Sequence, residues 1–390
     1  MEQHTDRVDT TLAQTSLEPD NASVPIPEEA RQTNGESEQP DPAAQISCSG
    51  GLAAWLVRQQ CSIAFTSYQI GQVFLVGVTR DGALSFHQRS FQRAMGICVD
   101  AEAQTLHLAM LYQIWRFTNI LKQNEVANEA HDRCFTPRQS FTTGAVDAHD
   151  IGIDAKGRIV FVNTSYSCLA IPDPVHSFQP LWKPDFISKL VPEDRCHLNG
   201  LAMEQGQPRY VTAVCRSDVI QGWRARREQG GMVMDVKPDT VLTENLSMPH
   251  SPRIHNGALY VLDSGRGFLC RVDRETGTSE PIAFCPGFLR GLAFHNNHAI
   301  VGLSLPRDKS FAGLELDDAL QKKDSDPWCG LQIVDLKGGN IVEWIRLSGA
   351  VRELFDVAIL PSVRCPMALG LMSPDVARTI SLNETFATLG

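Results

Sequence analysis

The sequence predicts an all-β fold: a six-bladed β-propeller closed by the C-terminal strand, which completes the N-terminal blade. Three observations predict it. A short lead motif recurs six times, at Gly96, Asp150, Gly200, Pro252, Gly291 and Asp356, with spacings of 54, 50, 52, 39 and 65 residues, in the range of propeller blades. The motifs lead into short apolar runs punctuated by turn glycines such as Gly157, Gly206 and Gly257, the pattern of antiparallel strands. The two ends are complementary: the first repeat, from Ser62 to Phe91, lacks a lead strand, and the last lead, residues 354–360, has no strands after it. Joining the two removes exposed strand edges.

Composition fits this class. A chain of 390 residues, 43% of them hydrophobic, can bury a large core. No apolar run approaches the roughly 18 residues that cross a membrane, and the acidic, polar N-terminus has no secretory character. Eleven cysteines, an odd number with no C-x-x-C pair, read as reduced thiols of a cytoplasmic protein. Cys98, Cys168, Cys215 and Cys270 fall inside apolar strands, where a thiol packs as a small hydrophobe. Basic stripes with interleaved aromatics are missing, which argues against a nucleic-acid partner. The oligomeric state is left open.

Three regions follow. Residues 1–45 carry ten acidic residues against Arg7 and Arg31, and are expected to be a disordered acidic tail, because so polar a segment buries too little surface to order itself. Residues 46–370 form the propeller and 371–390 a C-terminal tail. A short helix is expected over 52–58. Blade one holds strands at 62–66, 73–77 and 84–91. Blade two runs from Gly96 through 106–110 and 113–117. Blade three holds 151–154, 159–163, 168–171 and 178–182. Blade four holds 201–203, 210–215, 232–235 and 240–242. Blade five holds 253–255, 259–263, 268–273 and 278–281, and blade six 292–294, 299–303, 331–335 and 341–345.

In an up-and-down blade, the loop into the first strand and the loop between strands two and three share one face. The second loops begin Asn163-Thr164-Ser165-Tyr166, Cys215-Arg216-Ser217-Asp218, Asp263-Ser264-Gly265-Arg266 and Ser304-Leu305-Pro306-Arg307. They are polar, and two are long, at 216–231 and 304–330, as lids and binding loops often are.

Three histidines meet this face at nearly the same point of the repeat: His149, His197 and His250, each expected just before the inner strand of its blade. Three imidazoles with one open position make a catalytic zinc site, so His149, His197 and His250 are the candidate ligands of a divalent metal, zinc or iron rather than calcium. A lone histidine beside a strand is more often a packing residue; the repetition is what singles these out. They and Arg290 are the candidate catalytic residues. Asp150, Asn199, Arg253, Asp263, Ser264, Ser165 and Asp218 are the candidate substrate-binding residues. Arginine suits a carboxylate or phosphate, with an ion pair to a blade aspartate as the competing reading. Asp150 can alternatively orient an imidazole, and Asp263-Ser264 can be a turn pair.

The stretches His149-Asp150-Ile151-Gly152, Cys196-His197-Leu198-Asn199-Gly200, Met248-Pro249-His250-Ser251-Pro252-Arg253 and Leu262-Asp263-Ser264-Gly265 resemble a family described as a conserved domain of unknown function, over residues 46–370. That resemblance implies fold and motif, not reaction. More distantly the arrangement is similar to six-bladed propeller enzymes: gluconolactonase-like hydrolases, strictosidine synthase and the peptidyl-hydroxyglycine amidating lyase. The lyase implies a three-histidine zinc site at His149, His197 and His250. The gluconolactonase-like enzymes imply a cation site of Glu, Asn and Asp, for which Asn199 and Asp263 are present and an equivalent Glu is not evident. Two function classes follow: a metal-assisted lyase or hydrolase acting on a small polar metabolite, modified peptide or natural-product intermediate at the channel mouth, or a non-enzymatic propeller that binds a partner through its decorated face.

Overall fold

Six antiparallel sheets stand in sequence around an axis, each led by the strand nearest it. The structure is a computed structural model and describes residues 44–306, 314–383 and 385. The expected acidic tail therefore lies outside the described residues, apart from its last two positions. Blade three is Ala148–Ile153, Ile159–Asn163, Cys168–Ile171 and Gln179–Trp182; blade four is Leu198–Glu204, Gln207–Ala213, Gly231–Asp235 and Thr240–Leu246; blade five is Pro249–His255, Ala258–Asp263, Phe268–Val272 and Ser279–Phe284. In blade one, Val357–Pro361 leads Cys61–Ser67, Gln72–Val78 and Leu84–Ser90, with Ile63 opposite Ile359.

Two blades hold more strands than the sequence suggests. Blade two has the expected Ile97–Val99, Thr105–Ala109 and Gln113–Asn119, then Arg133–Thr142, on whose first residues Pro366–Ala368 adds a parallel strand. Blade six is Phe288–His295, His298–Ser304, Cys329–Asp335 and Ile341–Ser348, with Gln45–Cys48 on its outer edge. A helix at Leu52–Gln59 then buries Leu52, Trp55 and Leu56, one apolar face at helical spacing. A second helix, Glu315–Lys322, stands in the long loop of blade six.

Middle strands such as Ile159–Asn163 are buried throughout rather than on alternate residues, because neighbouring blades cover both faces. Between blades three and four, Val160, Val162 and Leu169 pack on Leu198, Val211 and Met232. Each fully buried aliphatic side chain there contributes about 1.5–3 kcal/mol.

Around the axis the blades alternate. Blades two, four and six place Gly96, Gly200 and Gly291 against the inner strand of the following blade, where a Cβ would meet His149 O and Ile151, Pro252 and Ser251 N, or Asp356 Cα. Gly291 also has φ +84°, which side chains resist. Blades three, five and one place Asp150, Ser251 and Asp356 at the matching position. Each accepts a backbone N–H from the next blade: Leu201 N to Asp150 Oδ2 (2.9 Å), Gly291 N to Ser251 Oγ (3.1 Å) and Ile97 N to Asp356 Oδ2 (3.0 Å). The ring is thus built from three similar pairs of blades.

Arg253 bolts this ring across its axis. Its guanidinium meets Asp150 at 2.7 and 3.2 Å and Asp356 at 3.5 Å, and donates to the Leu201 and Leu292 carbonyls. Burial and the neighbouring Asp150 push the Asp356 carboxyl up to about 7, against the pull of Arg253.

Candidate functional site

One residue before the alternating Gly and Asp/Ser positions, every blade presents a side chain beside the axis: Met95, His149, Asn199, His250, Arg290 and Phe355. His149, Asn199 and His250 each follow the first ladder residue of their inner strand, Ala148, Leu198 or Pro249. The expectation that all three histidines precede the inner strands is corrected in two cases. His149 and His250 are second residues of their strands, and only His197 lies just outside. His197 has φ +50°, as Asp147 (+54°) and Met248 (+44°) have at the same place in blades three and five. That backbone turn brings its ring beside His149 although Asn199 holds the equivalent ladder position. The two imidazoles stand edge to face, 5.0 Å between centroids.

Each imidazole is held at Nδ1. His149 Nδ1 contacts the Asp147 carbonyl (3.2 Å) and Thr164 Oγ1 (2.8 Å), while the Thr164 hydroxyl gives its own proton to Leu198 O. His250 Nδ1 contacts the Met248 carbonyl (2.8 Å) and Ser264 Oγ (3.1 Å). His197 Nδ1 contacts Asp194 Oδ2 at 2.9 Å, which also accepts from Trp223 Nε1. Carbonyls and carboxylates only accept, so Nδ1 carries a proton in all three rings, and in the neutral rings of His149 and His250 Nε2 carries a lone pair. His250 Nε2 is buried with no partner among the described residues.

Electrostatics keep the His149 and His250 rings neutral. Burial lowers His149 to about 4, with the His197 and Arg290 charges lowering it further against Asp147. Burial, Arg290, His149 and His197 lower His250 well below its ordinary value. The Arg290 guanidinium lies over the rings of Phe355 (5.2 Å), Phe288 (5.6 Å) and Tyr68 (5.6 Å). Trp223, from the long loop of blade four, stacks on His197 at 4.2 Å. It packs with Phe288 and with Leu314, Leu316 and Leu320 from the long loop of blade six, of which residues 307–313 lie outside the described residues.

The other candidates are distributed differently. Asp150 and Arg253 form the bolt, with their polar groups bonded to each other and to backbone. Asp263 accepts Ser247 N and the Arg266 guanidinium. Asp218 pairs with Arg195 and caps Ser188 N, which with the Ser188 side chain lowers it to about 2. Ser264 supports His250, and the backbone of Ser165 links Val146 to Asp194. Asp194, Trp223, Phe288 and Phe355 were not foreseen as site residues, and Thr164 was foreseen only as part of the polar loop 163–166. The long loop was the one signal for Trp223.

Zinc–nitrogen bonds of about 2.0–2.1 Å at tetrahedral angles place two imidazole centroids about 5 Å apart, which the His149–His197 pair meets. Among the described residues, no group of three or more His, Cys, Asp or Glu is arranged to hold a metal ion, so His250 is not placed with the pair as a ready ligand.

The family model described as a domain of unknown function, DUF4915, matches residues 50–369. The chain belongs to this family. No curated protein matches it. Among solved structures, a chain of a nidogen/laminin complex is similar at 12% identity, with a TM-score of 0.49, covering 78% of this chain and all of that one. A streptogramin B lyase structure is similar at 9% identity, with a TM-score of 0.37, covering 74% of this chain and 76% of that one. No helix among the described residues is long and apolar enough to cross a membrane.

Proposed function

We propose that the protein is a lyase or hydrolase acting on a small polar metabolite at the axial pocket, with a divalent metal, zinc or iron, held by His149, His197 and His250. The observation that carries this reading is the shared orientation: three imidazoles whose Nδ1 is fixed by acceptors, which leaves Nε2 as the atom for a metal. Metal-binding histidines are characteristically oriented by such an outer hydrogen bond. A bound metal would supply Lewis acidity or an activated water.

The chain's own groups have definable parts. Asp147, Thr164, Asp194, Met248 and Ser264 hold the rings in one orientation. Arg290 offers positive charge to an anionic substrate group, and Trp223, Phe288 and Phe355 exclude water around it. His250 has to approach the His149–His197 pair to complete a three-ligand set, and the left-handed residue Met248 beside it is where the backbone would yield. We place this activity in the cytoplasm, a reading supported by eleven cysteines that are all free.

Metal analysis of purified protein tests the proposal. About one equivalent of zinc or iron is expected, lost from a variant with all three histidines changed to alanine that keeps its β-sheet circular dichroism. Wild-type protein that takes up neither metal, or a triple variant that keeps it, overturns the reading in favour of a propeller that binds a partner through the same face.

A further inference from the structure

We infer that the protein has a second binding site, for a compact small molecule carrying two phosphate groups, at the seam of blades one and two on the face opposite the histidines. It is independent of the axial pocket and of the chemistry proposed there. An open cavity of about 520 Å³ at this seam is lined by Arg80, Lys122, Arg133 and Arg364. Arg80 lies in the turn between Gln72–Val78 and Leu84–Ser90, the third and fourth strands of blade one. Lys122 lies in the loop between Gln113–Asn119 and Arg133–Thr142, the third and fourth strands of blade two, and Arg133 begins the latter. Arg364 arrives from elsewhere: the C-terminal segment leaves blade one at Pro361 and crosses to lay Pro366 beside Arg133.

The charges around this cavity are not spent on each other. Two carboxylates, Glu125 and Asp132, share the lining, but both serve the backbone. Asp132 accepts Arg364 N and Cys365 N, each at 2.9 Å, and Glu125 accepts Lys122 N at 2.9 Å. None of the four cations forms an ion pair with a carboxylate among the described residues. Arg133 donates from Nη1 to Asp132 O at 2.7 Å, while its Nε is buried with no partner among the described residues. A buried donor left unpaired calls for an explanation, and like charges gathered around one hollow repel until an anion enters. Guanidinium forks suit phosphate oxygens in pairs. Three forks and an ammonium seek more acceptors than the three oxygens of one phosphate group, and two groups supply them. No aromatic side chain lines the cavity, so a nucleobase finds no stacking surface, and the fitting ligand is a bisphosphate or pyrophosphate compound without one.

The test is calorimetric titration of full-length, chelator-treated protein at about 150 mM salt, where loose surface attraction is screened. Pyrophosphate is the probe, with orthophosphate and malonate beside it. Pyrophosphate binds at least tenfold more tightly than either. Arg133→Gln and Arg364→Gln each weaken it tenfold or more, the size of a lost hydrogen bond to a charged group. Arg116→Gln, at an exposed arginine of blade two outside the lining, leaves binding unchanged. Arg364 is itself exposed, so its variant keeps the fold and carries the test should Arg133→Gln unfold. The inference is overturned if pyrophosphate gives no saturable heat at millimolar concentration, if orthophosphate or malonate binds as tightly, if Arg364→Gln binds as wild type does, or if Arg116→Gln weakens binding as much as Arg364→Gln.

Discussion

Replacing Arg253 by methionine removes the cation that Asp150 and Asp356 share across the axis while keeping most of the side-chain volume. The Arg253 side chain is 21% exposed and those of its partners 4% and 3%, so two almost completely buried carboxylates lose their counter-charge. Breaking a buried ion pair from one side costs about 3–5 kcal/mol, and urea unfolding followed by tryptophan fluorescence should show a loss of that order near pH 8. The pH dependence identifies the cause. Burial and Asp150 raise Asp356 to about 7 even with Arg253 present. A carboxyl raised on folding binds more protons folded than unfolded, so the stability it contributes is full below its ordinary value of about 3.9 and is lost as pH rises toward 7. Without Arg253 the carboxyl rises further, and protonation near pH 5.5 relieves the repulsion. The deficit against wild type therefore shrinks on moving from about pH 8 to about pH 5.5. Subtracting wild type also removes the opposite effect of His149, whose lowered value costs stability as pH falls from about 6.5 towards 4. A deficit below about 1 kcal/mol, or one equal at both pH values, would refute the assignment of Arg253 as a structural bolt.

Ending the chain before Leu354 strips Cys61–Ser67 of its inner partner strand and takes Asp356 from the bolt. Such a protein should melt far below the full chain or aggregate, and equal thermal stability would count against that sheet's role. Trp223→Phe keeps a ring over His197 and loses the Nε1 donor to Asp194. It should unfold about 1 kcal/mol more easily and should lack the emission change that zinc is expected to cause in wild type, as a fluorimetric titration will show.

The blade count was readable because glycine and aspartate recur where inner strands press on the next blade, a steric demand that leaves a mark at Gly96, Asp150, Gly200, Gly291 and Asp356. The strand at Arg133–Thr142 left none. Pro137 interrupts it, and the proline is tolerated because the added strand Pro366–Ala368 pairs with residues 133–135, short of it, and the register shifts where Phe117 faces it. The histidines were visible as a set, but their unequal offsets were not interpretable. Only coordinates show that His197 turns in from a left-handed residue while Asn199 takes the ladder position. Arg253 and Asp150 could be read equally as ligand-binding or as an ion pair, since composition does not reveal that blades five, three and one bring them together at the axis.

A ring pinned at its centre is a cup, not a pipe. With Arg253, Asp150 and Asp356 spanning the floor just past His149 and His250, a molecule that reaches the imidazoles leaves by the way it came. Under the function proposed above, a substrate that reaches His197 meets the Trp223 indole stacked on it.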